Sequence, residues 1–288
     1  MSALQNPHAP FDAALAAAMD AGIRAALVED VGSGDLTGLL VPAGQQAGAQ
    51  VIVREQAVLC GAPWFEGVMQ RVDASIRIRW RHAEGDLMDA GSTVCTIAGP
   101  ARALLTAERT ALNFLQLLSG VASATRRYTD AVAGTRARVL DTRKTLPGLR
   151  LAQKYAVRVG GGANQRLALY DGILIKENHI AAAGGVAAAF HAAQALQTGA
   201  PVQIEVESLA QLKEALDAGA ASILLDNFST ALMRAAVGEA AGRAVLEASG
   251  GISLATLREI AETGVDRISI GGLTKDVRAT DYSMRFDG

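Results

Sequence analysis

From about Thr135 onward, short apolar segments alternate with helical ones, and each apolar segment ends on polar or glycine residues. The strand-like segments are Arg138–Asp141, Gly172–Lys176, Val202–Glu207, Ser222–Asp226, Ala244–Ser249 and Arg267–Gly271. Leu209–Ala218 and Leu254–Thr263 carry helical spacing between them, the second opening on Ser253, a good N-cap. Six strands alternating with helices predict a parallel sheet with right-handed crossovers. The strand ends read Asp141-Thr142-Arg143-Lys144, Lys176-Glu177-Asn178-His179, Glu205 with Glu207, Asp226-Asn227, Ser249-Gly250-Gly251 and Gly271-Gly272. A barrel of parallel strands gathers all of these at one mouth, whereas an open doubly wound sheet spreads them along an edge. A closed or nearly closed (β/α) barrel is therefore expected.

The part before this rhythm reads differently. A helix is predicted over Phe11–Val28, then a turn-rich loop at Glu29–Thr37 and strands at Val51–Arg54, Ser75–Trp80 and Ser92–Ile97. Ile76, Ile78 and Trp80 alternate with Arg77, Arg79 and Arg81, as a sheet with one wet face requires. Pro100 closes this part, and a helix over Ala103–Leu118 leads to Ser119-Gly120, where a second domain is expected to begin.

Composition removes whole classes of function. Half the chain is apolar, enough for a sizeable core, and a net charge of −2 gives no bulk attraction to nucleic acid or membranes. The uncharged run Ile180–Ile204 is broken by Gly184, Gly185, Gly199 and Pro201, and reads as a core helix and a strand rather than a membrane span. No secretory signal is legible, and Cys60 and Cys95 stand in no metal-ligand spacing, so a cytoplasmic location with packed free thiols is expected. His8, His82, His179 and His191 likewise form no zinc pattern.

Within that near-neutral average, seven basic residues face three acids between Asp141 and Asn178. Arg150, Lys154 and Arg158 are expected on a solvated helix face. Lys144 and Lys176 are not so easily dismissed, because a strand-end ammonium near a barrel mouth is expensive to bury unpaired, and the chain has only five lysines. Glu205 and Glu207 share strand parity, and Asp226 adds a carboxylate one strand on. Cations on the first two strands opposite acids on the next two point to an anionic substrate and Mg2+. Ser249-Gly250-Gly251 and Gly271-Gly272, on the last two strands, resemble a barrel phosphate site, where glycines let backbone N–H groups approach. Gly160-Gly161-Gly162 follows a helix, so it is either a C-cap or a loop presenting Arg166 to a carboxylate.

Asp141-Thr142-Arg143-Lys144-Thr145-Leu146-Pro147-Gly148, Gly160–Gly162, Leu174–His179 and Leu224–Phe228 together resemble quinolinate phosphoribosyltransferases. Glu29-Asp30, Gly34–Thr37 and Glu108–Asn113 match the amino-terminal half of the same family, so the resemblance spans nearly the whole chain. It implies an α/β fold: an N-terminal α/β sandwich domain (residues 1–118, joined by the tail 277–288) and an incomplete (β/α) barrel (119–276). It also implies a homodimer acting on quinolinate and 5-phosphoribosyl-1-pyrophosphate with Mg2+. By that resemblance Arg143, Arg166, Lys144 and Lys176 handle carboxylates and pyrophosphate, with both lysines catalytic. Glu205 and Asp226, also catalytic, surround the ribose hydroxyls and Mg2+. Ser249, Gly250, Gly251, Gly271 and Gly272 cradle the 5′-phosphate, and Arg109 comes from the neighbouring subunit. The chain has Gln165 where the family usually has His, which keeps carboxylate recognition but removes charge and proton relay. A nicotinate-specific phosphoribosyltransferase, a Schiff-base lyase using Lys144 or Lys176, and a non-enzymatic paralogue are the alternatives. The first needs fewer bases than Arg143, Arg166 and Lys176, and the last has no need of Lys176, Glu205 and Asp226 together.

Overall fold

The computed structural model describes residues 3–287, so residues 1, 2 and 288 of the expected first domain and tail lie outside the described residues. The elements before the barrel rhythm are α1 (Ala13–Val31), β1 (Gln46–Val53), β2 (Ala57–Val58), α2 (Ala62–Val72), β3 (Arg77–Trp80), β4 (Leu87–Met88), β5 (Thr93–Pro100) and α3 (Ala101–Ala131). There follow β6 (Arg138–Leu140), α4 (Arg150–Val159), β7 (Ile173–Ile175), α5 (Glu177–Ala183), α6 (Val186–Ala195), β8 (Val202–Val206), α7 (Leu209–Asp217) and β9 (Ser222–Asp226). The last are α8 (Thr230–Ala240), β10 (Val245–Ser249), α9 (Leu254–Ala261), β11 (Arg267–Ser269), α10 (Gly272–Lys275) and β12 (Tyr282–Phe286). Two compact units emerge. One contains the chain through Arg126, Leu146–Gly161 and everything from Asp276 on; the other contains Arg127–Thr145 and Gly162–Lys275.

In the first unit an antiparallel sheet runs in the order β12-β1-β5-β3, beside the short pair β2-β4. Ile76 and Trp80 are buried and Arg77 and Arg79 exposed, so the alternation read from the sequence does set the wet face. Asp12 caps α1 by accepting from the Leu15 N–H at 2.8 Å. A buried carboxylate, Glu84, closes the start of α2: it accepts from the N–H groups of Gly61 (2.7 Å) and Ala62 (3.1 Å) and from the Tyr155 hydroxyl (2.9 Å).

Two sequence expectations are corrected here. The helix expected to end at Leu118 continues through Ser119-Gly120 to Ala131. Gly120 sits inside this helix at a point of close approach, since a Cβ there would lie 2.3 Å from the Arg278 carbonyl oxygen. Lys154 is not on a solvated face. It is 1% exposed, within a run of buried residues from Ala152 to Val157, whereas Arg158 is exposed as expected.

The second unit holds six parallel strands in the order β6-β11-β10-β9-β8-β7. Strands adjacent in sequence are adjacent in space except β6 and β7, which form the two edges. Ala163 makes a single parallel bridge to Leu140 on the free side of β6. This is the incomplete barrel. Ser208 and Ser229 cap α7 and α8, and Ser253 with Thr256 forms the capping box of α9, so three of the βα turns end on the residue type that starts the helix. The uncharged stretch becomes the end of α5, all of α6 and the start of β8, with Gly184-Gly185 separating two helices where one was expected. Among the described residues no helix is long and apolar enough to cross a membrane.

Candidate active site

Side chains alternate faces along a strand, so one residue in two points into the barrel. The parallel register places Glu205, Leu224, Glu247 and Arg267 level with one another across β8, β9, β10 and β11, and Asp226 level with Ser249 one step further along. Toward the C-terminal ends of the strands a cavity of about 270 Å³ opens. Arg143, Lys144, Gln165, Arg166, Lys176, Glu205, Asp226 and Ser249 all line it, and every residue of its lining belongs to the second unit.

The cations are held by backbone and carboxylate partners. Lys176 Nζ lies 2.8 Å from Glu205 Oε2; the Lys176 side chain is 46% exposed and that of Glu205 only 9%, so the lysine shields a carboxylate that is costly to bury alone. Arg166 Nη1 donates to the Gly172 carbonyl at 2.8 Å, while its Nε is buried with no partner among the described residues. Burial and the neighbouring positive charge of Arg143 both lower the Arg166 pKa. Two guanidinium groups pressed into one cavity repel, and an anion between them relieves that repulsion. Asp141 is fully buried and ties the loop after α4 to β6, accepting from Asn164 Nδ2 (2.6 Å) and the Gln165 N–H (2.9 Å). Thr274 Oγ1 donates to the Lys144 carbonyl at 2.7 Å, and Gly271 leaves room for the lysine stem, for a Cβ there would sit 3.1 Å from Lys144 Cδ.

Gly250-Gly251 directly follow β10, Gly271-Gly272 lie one residue beyond β11 at the start of α10, and none of the four is part of the cavity lining. Gly250 has φ +106°, and a Cβ on it would fall 2.1 Å from Asn227 Oδ1, so only glycine fits there. Among the described residues no group of three or more His, Cys, Asp or Glu is arranged to hold a metal. Glu205 and Asp226 line one cavity, which suits a hard cation that takes one or two carboxylates and completes its shell with substrate oxygens and water.

Family models for the N-terminal and C-terminal domains of quinolinate phosphoribosyl transferase match residues 35–119 and 121–285. This chain belongs to the quinolinate phosphoribosyltransferase family. It is 44% identical over 269 residues to a nicotinate-nucleotide pyrophosphorylase [carboxylating] of Mycobacterium leprae, covering 91% of this chain and 95% of that one. A probable enzyme of the same name from Bacillus subtilis is 39% identical over 258 residues, 89% of either chain. The solved nicotinate-nucleotide pyrophosphorylase of Francisella tularensis superposes with a TM-score of 0.93 at 40% identity, covering 99% of this chain and 100% of that one.

In this phosphoribosyltransferase the expected cations, Gln165, both carboxylates and Ser249 of the barrel converge on one cavity, while the four glycines, Glu207 and Arg109 lie outside its lining. Glu207 shares the parity of Glu205, but β8 ends at Val206, and Glu207 is exposed and outside the cavity. Arg109 belongs to the first unit, exposed on α3. Glu247 and Ser269 line the cavity but were not singled out from the sequence. Their signal was the same two-residue period that leads back from Ser249 and Gly271.

Proposed function

We propose that the chain transfers the phosphoribosyl group of 5-phosphoribosyl-1-pyrophosphate to the ring nitrogen of quinolinate, releasing pyrophosphate and CO2 and leaving nicotinate mononucleotide. It is then a decarboxylating quinolinate phosphoribosyltransferase, a pentosyltransferase of NAD biosynthesis. The observation that carries this reading is the pair Arg143 and Arg166 in one cavity with Lys144, Lys176 and two carboxylates. Quinolinate has adjacent carboxylates, and two planar guanidinium forks match them. The Gly172 contact already orders the Arg166 fork, which lowers the entropic cost of binding.

Lys144 and Lys176 then hold phosphate oxygens, while the glycine turns after β10 and β11 take the 5′-phosphate. The ring nitrogen bonds to the sugar C1 as the C1–O bond breaks, and its electron pair leaves with pyrophosphate. Glu205 and Asp226 stabilise positive charge developing on that carbon. The electron pair of the C2–carboxylate bond stays on C2 as CO2 departs, stabilised by the adjacent pyridinium charge, and C2 then takes a proton from water. No histidine among the described residues lines the cavity, in keeping with a reaction that needs little proton relay. Mg2+ would be held by Glu205 and Asp226, and when bound it screens the charge of the leaving pyrophosphate. The working form is a cytoplasmic homodimer in which Arg109 reaches the neighbouring subunit's site; its exposure on α3 supports that role.

Carboxyl-labelled quinolinate is expected to release CO2 only when phosphoribosyl pyrophosphate and Mg2+ are present. Nicotinate lacks one carboxylate and its charge-assisted bonds, which should cost about 1.5–3 kcal/mol, or roughly ten- to a hundredfold in kcat/KM. Equal efficiency with nicotinate would overturn the assignment. Gly250→Ala should raise the KM for phosphoribosyl pyrophosphate about tenfold, roughly 1.4 kcal/mol, while leaving that for quinolinate unchanged. Equal changes in both KM values would place the turn elsewhere in the site.

A further inference from the structure

Gln165 is the only amide side chain in the cavity lining, and its orientation is set from a distance. Its Nε2 donates to Gln203 Oε1 at 3.0 Å, and Gln203 Nε2 donates to Glu247 Oε2 at 2.9 Å. With Glu247 Oε2 accepting at this contact, Gln203 turns its NH2 group that way. The Gln203 oxygen is left facing Gln165, which must answer with its own NH2. An amide alone is free to flip end for end at little cost, but a terminal oxygen that accepts from Gln203 gives this chain of bonds one polarity.

Glu247 serves that task from the edge of the cavity lining. It is 1% exposed, in the middle of β10, and its Oε1 has no partner among the described residues. Burial raises its pKa against the pull of Gln203, Ser269 and Arg267. A carboxylate kept inside a barrel at such cost marks conformational specificity rather than stability. Gln203 is itself 8% exposed and buried among strands. It lies off the substrate cavity, in the lining of a second cavity of about 710 Å³ toward the N-terminal ends of the strands.

We propose that Gln203 and Glu247 are positioning residues that act through Gln165, fixing the orientation of its amide and thereby the grip of the cavity on the carboxylates of quinolinate. This rests on the proposed quinolinate reaction. Gln203→Met keeps the volume and removes both bonds. It should raise the KM for quinolinate about tenfold, as should Gln165→Ala, with kcat and the KM for phosphoribosyl pyrophosphate within about twofold of wild type. The double variant should be no worse than Gln165→Ala alone, because the two residues act as one unit. Glu247→Gln keeps the size and fold but can accept or donate, so it should give a smaller rise in the same constant, abolished when Gln165 is already alanine. Multiplicative effects of Gln203→Met and Gln165→Ala, or a loss falling equally on both substrates, would overturn the inference while leaving the quinolinate reaction standing. Absence of quinolinate turnover in the wild type would instead remove the reading on which it rests.

Discussion

Arg109→Ala and Lys144→Ala homodimers should each retain about a hundredth of wild-type activity or less, and an equal mixture of the two should regain about a quarter. In the proposed shared site each substitution removes a fixed cation from the anionic substrates, a loss of about 2.7–4 kcal/mol. Lys144 lines the barrel cavity of its own chain, while Arg109, in the proposed dimer, serves the neighbouring chain. Random pairing makes half the dimers mixed. Every mixed dimer then has one site with both defects and one with neither, which yields about a quarter of full activity. If Arg109 served its own chain, every site in a mixed dimer would carry one defect and mixing would restore nothing. The measurement is activity after joint unfolding and refolding, with mixed dimers verified by mass. No recovery in their presence would end the shared-site proposal.

The second large effect concerns stability rather than chemistry. Burial pushes the Glu84 carboxyl up to about 7, although the Gly61, Ala62 and Tyr155 donors and Cys60 pull it down. In the unfolded chain the same group titrates at about 4.5. Between those values the folded state holds a proton that the unfolded state has lost, so this group's contribution is complete below about pH 4.5 and disappears as pH rises through about 7. The loss is on the order of 3 kcal/mol. Glu84→Gln cannot titrate. It turns an NH2 toward one backbone N–H, a fixed cost of about 1–2 kcal/mol at every pH. The difference in unfolding free energy between wild type and Glu84→Gln should therefore change in favour of the variant from pH 4.5 to 7 and level off above. A difference flat from pH 5 to 8 would mean that the carboxylate is ionised in the fold throughout.

The barrel and most of its site were legible because one rule governs both. Inward parity and a polar strand end place Lys176, Glu205, Asp226 and Ser249 in one lining without reference to any distant contact. The misreadings share a different cause, which is packing between segments remote in sequence. The helix looked finished at Leu118 because nothing near Gly120 in sequence hints that it runs on, with the Arg278 carbonyl excluding a side chain there. Lys154 looked solvated because Arg150, Lys154 and Arg158 fall one turn apart, a spacing that marks a shared face but not whether that face is covered. Glu247 hid inside an apolar strand, where its partner Gln203 lies 44 positions away.

The gap between β6 and β7, which do not pair with each other, changes how the barrel is braced. In a closed barrel the strand number and shear fix the bore, and every strand is braced on both sides. Here the ladder stops at a seam, and the two banks of that seam carry Arg143, after β6, and Lys176, after β7. The span between these cations is set not by a row of interstrand hydrogen bonds but by the loop that crosses between them, latched to one bank by Asp141 and the Ala163 bridge. In the proposed site Arg143 meets the carboxylates from one bank and Lys176 the phosphate oxygens from the other, so the distance between the two anion sites is held by loop contacts rather than by strand pairing.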